Sequence, residues 1–330
     1  MRLSSKTFRR ISFSAFLSIF SSPVFAGDTP DFKLIQKIPL YNVQGTIHRL
    51  VVDAGGQRLF ATAPENGTVE IVDLKSAKKI YALKDLGFPK DVLFSDEENR
   101  IFVTEGQGGA VDIFDASSYA LIDRWINYQS PDGLGIDEAK KVLYIGYGEG
   151  AVAAVRYPDG KNLWDLRLRG HPQDFKLDKT GRNIFISIAG AAQVAVLDTE
   201  KQEVKALALK DLRLGRPLCL DEEHRRLFVG TERPPRLAVI DMDSGEQKEI
   251  FDISGGAHDI FYDPARRRVY VFCREGVTHV FEDKDGHFIP KGKIPMGNNP
   301  TVALFVPERG RFYAAVEGDY GPVIQVYQVE

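Results

Sequence analysis

Seven adjacent pairs of residues are the ones in this sequence whose types and spacing could do chemistry. They are His48-Arg49, Lys90-Asp91, Asp132-Gly133, Gln173-Asp174, Arg216-Pro217, His258-Asp259 and Thr301-Val302, and successive pairs lie 41 to 43 residues apart. Carboxylates, imidazoles and cationic groups gathered in one concavity suit a polar or charged ligand, and their mutual fields shift one another's pKa values. Acids beside histidines could also activate water. The candidate ligand-binding residues are therefore His48, Arg49, Lys90, Asp91, Asp132, Asp174, Arg216, His258 and Asp259. The competing role for the same side chains is to cap backbone groups and pair with neighbouring units, with water between them.

The pairs recur because the chain does. Seven residues, Arg58, Arg100, Val142, Asn183, Arg226, Arg268 and Arg311, each open a β-rich triplet. The triplets are Leu59-Phe60-Ala61, Ile101-Phe102-Val103, Leu143-Tyr144-Ile145, Ile184-Phe185-Ile186, Leu227-Phe228-Val229, Val269-Tyr270-Val271 and Phe312-Tyr313-Ala314. A period in the forties made of short strands means radial repetition. In the second copy, residues 91–94, 101–105, 111–114 and 120–125 read as four strands separated by turn residues. The expected fold is all-β: a seven-bladed β-propeller of four-stranded antiparallel blades over residues 27–330. The seventh copy is one strand short, and the alternating segment 32–40 supplies that strand and closes the ring. Loops entering first strands share a face with loops between second and third strands, so the charged pairs meet at one mouth of the channel. Glu105, Glu149, Glu232, Arg233, Arg236, Arg274, Glu275, Glu317 and Asp319 lie in neighbouring loops of that face. Tyr147 and Tyr320 add aromatic surface there, whereas Trp125 reads as packed in an outer strand.

Other recurrent charges read as structural. Asp53, Asp137, Asp178, Asp221 and Asp263 fall in first turns, and Asp73, Asp115, Asp198 and Asp241 end third strands. An Asp in such a place accepts a backbone N–H a few residues on and starts a hairpin. Asp283-Lys284-Asp285-Gly286 opens like a calcium loop but lacks the rest of the ligand pattern, so it reads as a turn. Basic residues recur on the opposite face, and Arg266-Arg267-Arg268 is its best candidate for an anionic contact. Cys219 and Cys273 lie in different repeats and read as two buried thiols.

The second-strand segments resemble the YVTN family of seven-bladed propellers, with Phe102-Val103-Thr104-Glu105 the nearest copy and Phe60-Ala61-Thr62-Ala63 and Tyr144-Ile145-Gly146-Tyr147 more distant ones. Prolines before first strands, at Pro89, Pro131, Pro172 and Pro300, are similar to that family's pattern. The resemblance covers residues 32–330 and implies the architecture. Proteins of this kind include exported binding modules and scaffolds, some of which contact DNA, so it does not by itself imply an activity.

Residues 1–26 read as a signal peptide. Arg2, Lys6, Arg9 and Arg10 precede a short apolar stretch, and Pro23-Val24-Phe25-Ala26 ends it, with cleavage expected after Ala26. Export to the periplasm or outside the cell follows, by the general secretory route or, through Arg9-Arg10, the twin-arginine route. Its loss leaves 39 Lys+Arg against 46 Asp+Glu, a net charge of −7, which argues against general nucleic-acid binding. No Gly-x-Ser-x-Gly, phosphate-loop, His-Glu-x-x-His or Cys-x-x-Cys motif occurs. His48, His171 and His258 come from blades one, four and six, too far around the ring to share a metal without side-chain reach. No cofactor or metal is expected, and no membrane span. The reading is a monomeric binding module or scaffold for a protein or small polar ligand. Alternatives are a hydrolase of the seven-bladed lactonase type and an accessory subunit of a periplasmic redox system.

Overall fold

A computed structural model describes residues 32–330 apart from Ala54 and Ala189. The leader at residues 1–26 and its cleavage point lie outside the described residues. Among those described, 28 strands form seven antiparallel sheets of four, the expected seven-bladed propeller. Six sheets run in chain order from the axis outward, as in blade one: Arg49–Val52, Arg58–Ala63, Thr68–Asp73 and Lys78–Leu83. In the second blade the strands are Pro89–Ser95, Arg100–Glu105, Ala110–Asp115 and Leu121–Ile126, within two residues of the expected bounds.

Burial explains why the repeats look as they do in sequence. The two middle strands of a blade are covered on both faces by neighbouring blades, so they read as continuous apolar runs. Phe60, Phe102, Phe228 and Tyr270 are fully buried, and Tyr144, Phe185 and Tyr313 nearly so. Seven apolar clusters fill the seven gaps between blades, one per gap. Phe60 of blade one, for instance, stacks on Phe94 of blade two at 5.6 Å between ring centroids. No blade has an apolar interior of its own, which is the energetic reason the ring must close.

Closure is made as expected. Phe32–Pro39 pairs antiparallel with Val323–Val329 and becomes the outer strand of blade seven. Ile38 and Leu40 are fully buried behind it, each worth about 1.5–3 kcal/mol. Phe32 packs edge-on to Tyr270 at 5.4 Å and to Phe312 at 5.1 Å, so the first described strand also grips blade six.

The turn acids do local work. Asp53 accepts the N–H groups of Gln57 and Arg58 at 2.8 and 3.2 Å. Asp115 accepts those of Ser117 and Ser118, and Asp178 those of Arg182 and Asn183. Asp283 accepts the Gly286 N–H at 2.9 Å in the turn between two strands of blade six. The arginine triplet is internally occupied: Arg266 pairs with Asp263, Arg267 with Asp283 and Arg268 with Glu282. Both cysteines are free thiols; Cys273 is buried and Cys219 only partly so by exposure, a small departure from the expectation. Burial pushes them up to about 11 for Cys219 and about 12 for Cys273, which suppresses the thiolate. No helix among the described residues is long and apolar enough to cross a membrane.

Candidate functional site

A strand presents alternate side chains to opposite faces, so two consecutive residues do not ordinarily serve one site. The first strands of blades two, four, five and six break that rule with irregularities in pairing. The register shifts between Pro89 and Val92, between Pro172 and Asp174, between Leu214 and Leu218, and between Ala257 and Asp259. Each shift falls on a charged or polar pair, and bulges re-aim side chains in this way. Hydroxyls on second strands take up backbone N–H groups there: Thr62 accepts from Arg49 at 3.0 Å, Thr104 from Asp91 at 2.9 Å and Ser187 from Asp174 at 3.1 Å. Thr62 and Thr104 are the third residues of the tetrapeptides singled out in the sequence.

The pairs separate into two tiers. In the inner tier Asp91, Asp174 and Asp259 are buried on blades two, four and six. Each reaches the next blade: Leu134 N–H donates to Asp91 at 3.0 Å, Leu218 N–H to Asp174 at 3.4 Å and Ala303 N–H to Asp259 at 2.9 Å. Arg49 crosses to this tier, donating to both oxygens of Asp91 at 2.7 and 3.1 Å and lying 3.7 Å from Asp174. The two carboxylates hold its pKa above the usual arginine range against the cost of burial. Desolvation works against Asp174, but Lys176, 3.1 Å away, and Arg49 outweigh it and hold its pKa low. Gly133 occupies this tier in blade three because a Cβ there would meet the Gln173 carbonyl at 2.6 Å.

The outer tier surrounds a cavity of about 320 Å³ at the channel mouth. Its lining includes His48, Lys90, Asp132, Gln173, Arg216, Glu232, His258 and Arg274. Of the nine candidate residues, His48, Lys90, Asp132, Arg216 and His258 therefore face the cavity. Arg49, Asp91, Asp174 and Asp259 are absent from its lining and brace the inner tier. Glu232 and Arg274 join the lining from the neighbouring loops. Glu105 does not: it is buried with Asp112, and both hold Arg124, at 2.9 and 2.6 Å. Arg236 pairs with Asp252, Glu275 accepts the Gly255 N–H, and Glu317 accepts from Asn299. Larger clefts lie on the flank, one of about 650 Å³ beside Tyr81 and Tyr119, away from the charged tiers.

Polar contacts between first-strand segments run unbroken around the ring. Arg49–Asp91 joins blades one and two, Asp91–Leu134 two and three, and His171–Asp132, at 3.2 Å, three and four. Asp174–Leu218 joins four and five, Arg216–His258, at 3.3 Å, five and six, and Asp259–Ala303 six and seven. Thr301 Oγ1 donates to the Ile47 carbonyl at 2.8 Å and completes the circuit.

The imidazoles are fixed in different states. His258 Nε2 faces the Arg216 guanidinium, which can only donate, so Nδ1 carries the proton and donates to Asp259 at 3.0 Å. Burial drives the His258 pKa down to about 4, and Asp259 falls to about 2 because His258 and the Ala303 N–H outweigh its desolvation. His171 meets two acceptors, Gly148 O at 2.6 Å and Asp132 at 3.2 Å, and its bond to Asp132 leads in raising its pKa. His48 is held low, chiefly by burial. Each histidine has its own partners, and no group of three or more His, Cys, Asp or Glu among the described residues has metal-binding geometry.

No family model matches the chain. The protein is 22% identical over 284 residues to the protein transport protein SEC31 of Kluyveromyces lactis, covering 83% of this chain but 21% of that one. It is 29% identical over 124 residues to the uncharacterized protein YncE of Salmonella typhimurium, covering 36% of this chain and 34% of that one. The chain thus spans well under half the length of either relative. Among solved structures it superposes on the WD40 repeats of RRP9 with a TM-score of 0.75 at 10% identity, covering 91% of this chain and 99% of that one. A chain of the mitotic checkpoint complex gives 0.78 at 13% identity, with 98% and 99% covered. The chain is a seven-bladed β-propeller with WD40-like structural neighbours.

Proposed function

We propose that this protein is an exported, non-catalytic binding module that holds a partner at its channel mouth. The observation that carries the reading is the two-tier mouth. Side chains from six separate blades line one cavity, and a continuous polar circuit beneath fixes their positions. Pre-set geometry of this kind lowers the ordering cost of binding. Of the histidine–carboxylate pairs at the mouth, His171 has both ring nitrogens engaged by Gly148 O and Asp132, and in His258–Asp259 the His258 Nε2 already accepts from Arg216. These contacts occupy the ring nitrogens a general base needs and favour binding over hydrolysis. The YncE match and the Thr62 and Thr104 positions support placing the repeats in the YVTN group. Export rests on the basic and apolar leader, with maturation after Ala26 over residues 27–330.

The test has two parts. Mass spectrometry of the protein expressed with its own leader finds a mature N-terminus at Gly27; an intact Met1 terminus would remove the export claim. A photo-crosslinking residue is placed at Gln173 on the mouth or at Lys201 on the opposite face. Defined adducts form from position 173 and not from 201; the reverse pattern would overturn the mouth-face reading.

A further inference from the structure

Resting on that reading, we propose that the channel mouth is an anion site in which Arg216 and Arg274 clasp a carboxylate. Arg216 stands within the pairing irregularity of blade five and donates through Nη1 to His258. Its Nη2 is buried and has no hydrogen-bond partner. Arg274 comes from the loop after the second strand of blade six, and its Nε donates to the Thr301 carbonyl at 2.9 Å. Among the described residues neither arginine has a carboxylate within ion-pair distance, unlike Arg49 below them. The two guanidinium charges act on each other across the mouth, and Arg216 helps lower the Arg274 pKa after desolvation. Guanidinium groups that line a concavity without a carboxylate partner match the paired oxygens of a carboxylate.

The acids nearby do not cancel this. Asp132 is engaged by His171 at 3.2 Å and Lys90 at 3.5 Å. Glu232 is exposed at the lip and forms no ion pair with a described residue. The carboxylates beneath are held by Arg49, Lys176, His258 and backbone N–H groups. The lining thus sets Lys90, Arg216 and Arg274 against Asp132 and Glu232, with His258 neutral between the arginines. The cations of the lining outnumber its carboxylates by three to two, which favours an anion in contact with them. About 320 Å³ admits a small organic acid or one acidic side chain of a docking protein. The shared chemistry is the carboxylate.

Calorimetric titration of the mature protein with citrate, and in a separate arm with an Asp/Glu-rich peptide, tests the site. Binding of either to the wild type, weakened about tenfold or more by Arg274→Gln and by Arg216→Gln, is the expected result. Arg225→Gln on the opposite face leaves affinity unchanged. Citrate alone binding assigns the site to a free organic acid, and peptide binding assigns it to a partner's side chain. Failure of both ligands to bind the wild type, or wild-type affinity in both mouth variants, would overturn the anion site. Arg274→Gln keeps the test interpretable if Arg216→Gln misfolds, because Arg274 contributes one hydrogen bond at an exposed lip. Crosslinks from position 173 that persist while both anions fail would leave the mouth-face reading standing and remove only this inference.

Discussion

The two faces of the ring use the same residue at the same period for opposite purposes. On the hairpin face, Asp53 bonds residues four and five positions on, and the turn is complete within its own blade. On the mouth face, Asp91 bonds Arg49 and Leu134, 42 and 43 positions away in the two neighbouring blades. Other side chains of the hairpin face do bridge neighbouring blades, as in Lys141–Glu98 and Arg226–Asp283, but on the mouth face the recurrent acids themselves make the bridges. Loss of a turn acid such as Asp53 therefore acts first on its own hairpin, and loss of an inner-tier acid such as Asp91 acts on three blades at once.

Arg49→Leu should break the comparison most severely. It leaves Asp91 and Asp174 buried without their guanidinium, a cost of about 3–5 kcal/mol in denaturant unfolding. A cost close to that of an exposed ion pair would mean the inner tier is no brace. Next comes acid sensitivity. Burial holds the folded pKa of His258 at about 4, below the ordinary imidazole value of about 6.5, so the unfolded chain takes up this proton first. Stability present above pH 6.5 is then lost as pH falls towards 4, by about 3 kcal/mol. Asp259, Arg216 and Arg274 face the ring, and His279, also depressed to about 4, shares the window. The difference between wild type and His258→Gln across that range isolates the first histidine; parallel curves would refute the assignment. Asp53→Ala removes two local N–H bonds and the Arg58 ion pair on the hairpin face and should cost about 1–2 kcal/mol, with no effect on crosslinking from position 173. Arg225→Ala, which loses only an exposed pair with Asp243, should leave the unfolding midpoint where it was.

What the sequence made legible follows the same division. Turn acids could be read because their partners lie within five residues, and the aromatic triplets because both faces of middle strands are buried. The closing strand could be read from the missing fourth strand of the last repeat. The two tiers could not. Arg49, Asp91, Asp174 and Asp259 occupy equivalent positions to residues that line the cavity in neighbouring register. In blades two, four, five and six pairing irregularities re-aim the pair, whereas His48 and Arg49 of blade one separate without one. The irregularities of blades two and four leave weak marks in a single sequence: Pro89 or Pro172 beside the pair, and a hydroxyl at Thr104 or Ser187 opposite. Arg274 and Glu232 were visible only as loop charges among others, because loop direction is set by blades the local sequence does not encode.

The most direct measurement is crosslinking yield from position 173 in two charge-reversed proteins of unchanged circular dichroism. One carries Lys90→Glu, Arg216→Glu and Arg274→Glu; the other carries Arg182→Glu, Lys201→Glu and Arg225→Glu on the hairpin face. The account predicts that the first abolishes the adducts and the second leaves them within about twofold. Adducts that survive the mouth reversal and vanish with the hairpin-face reversal would contradict it.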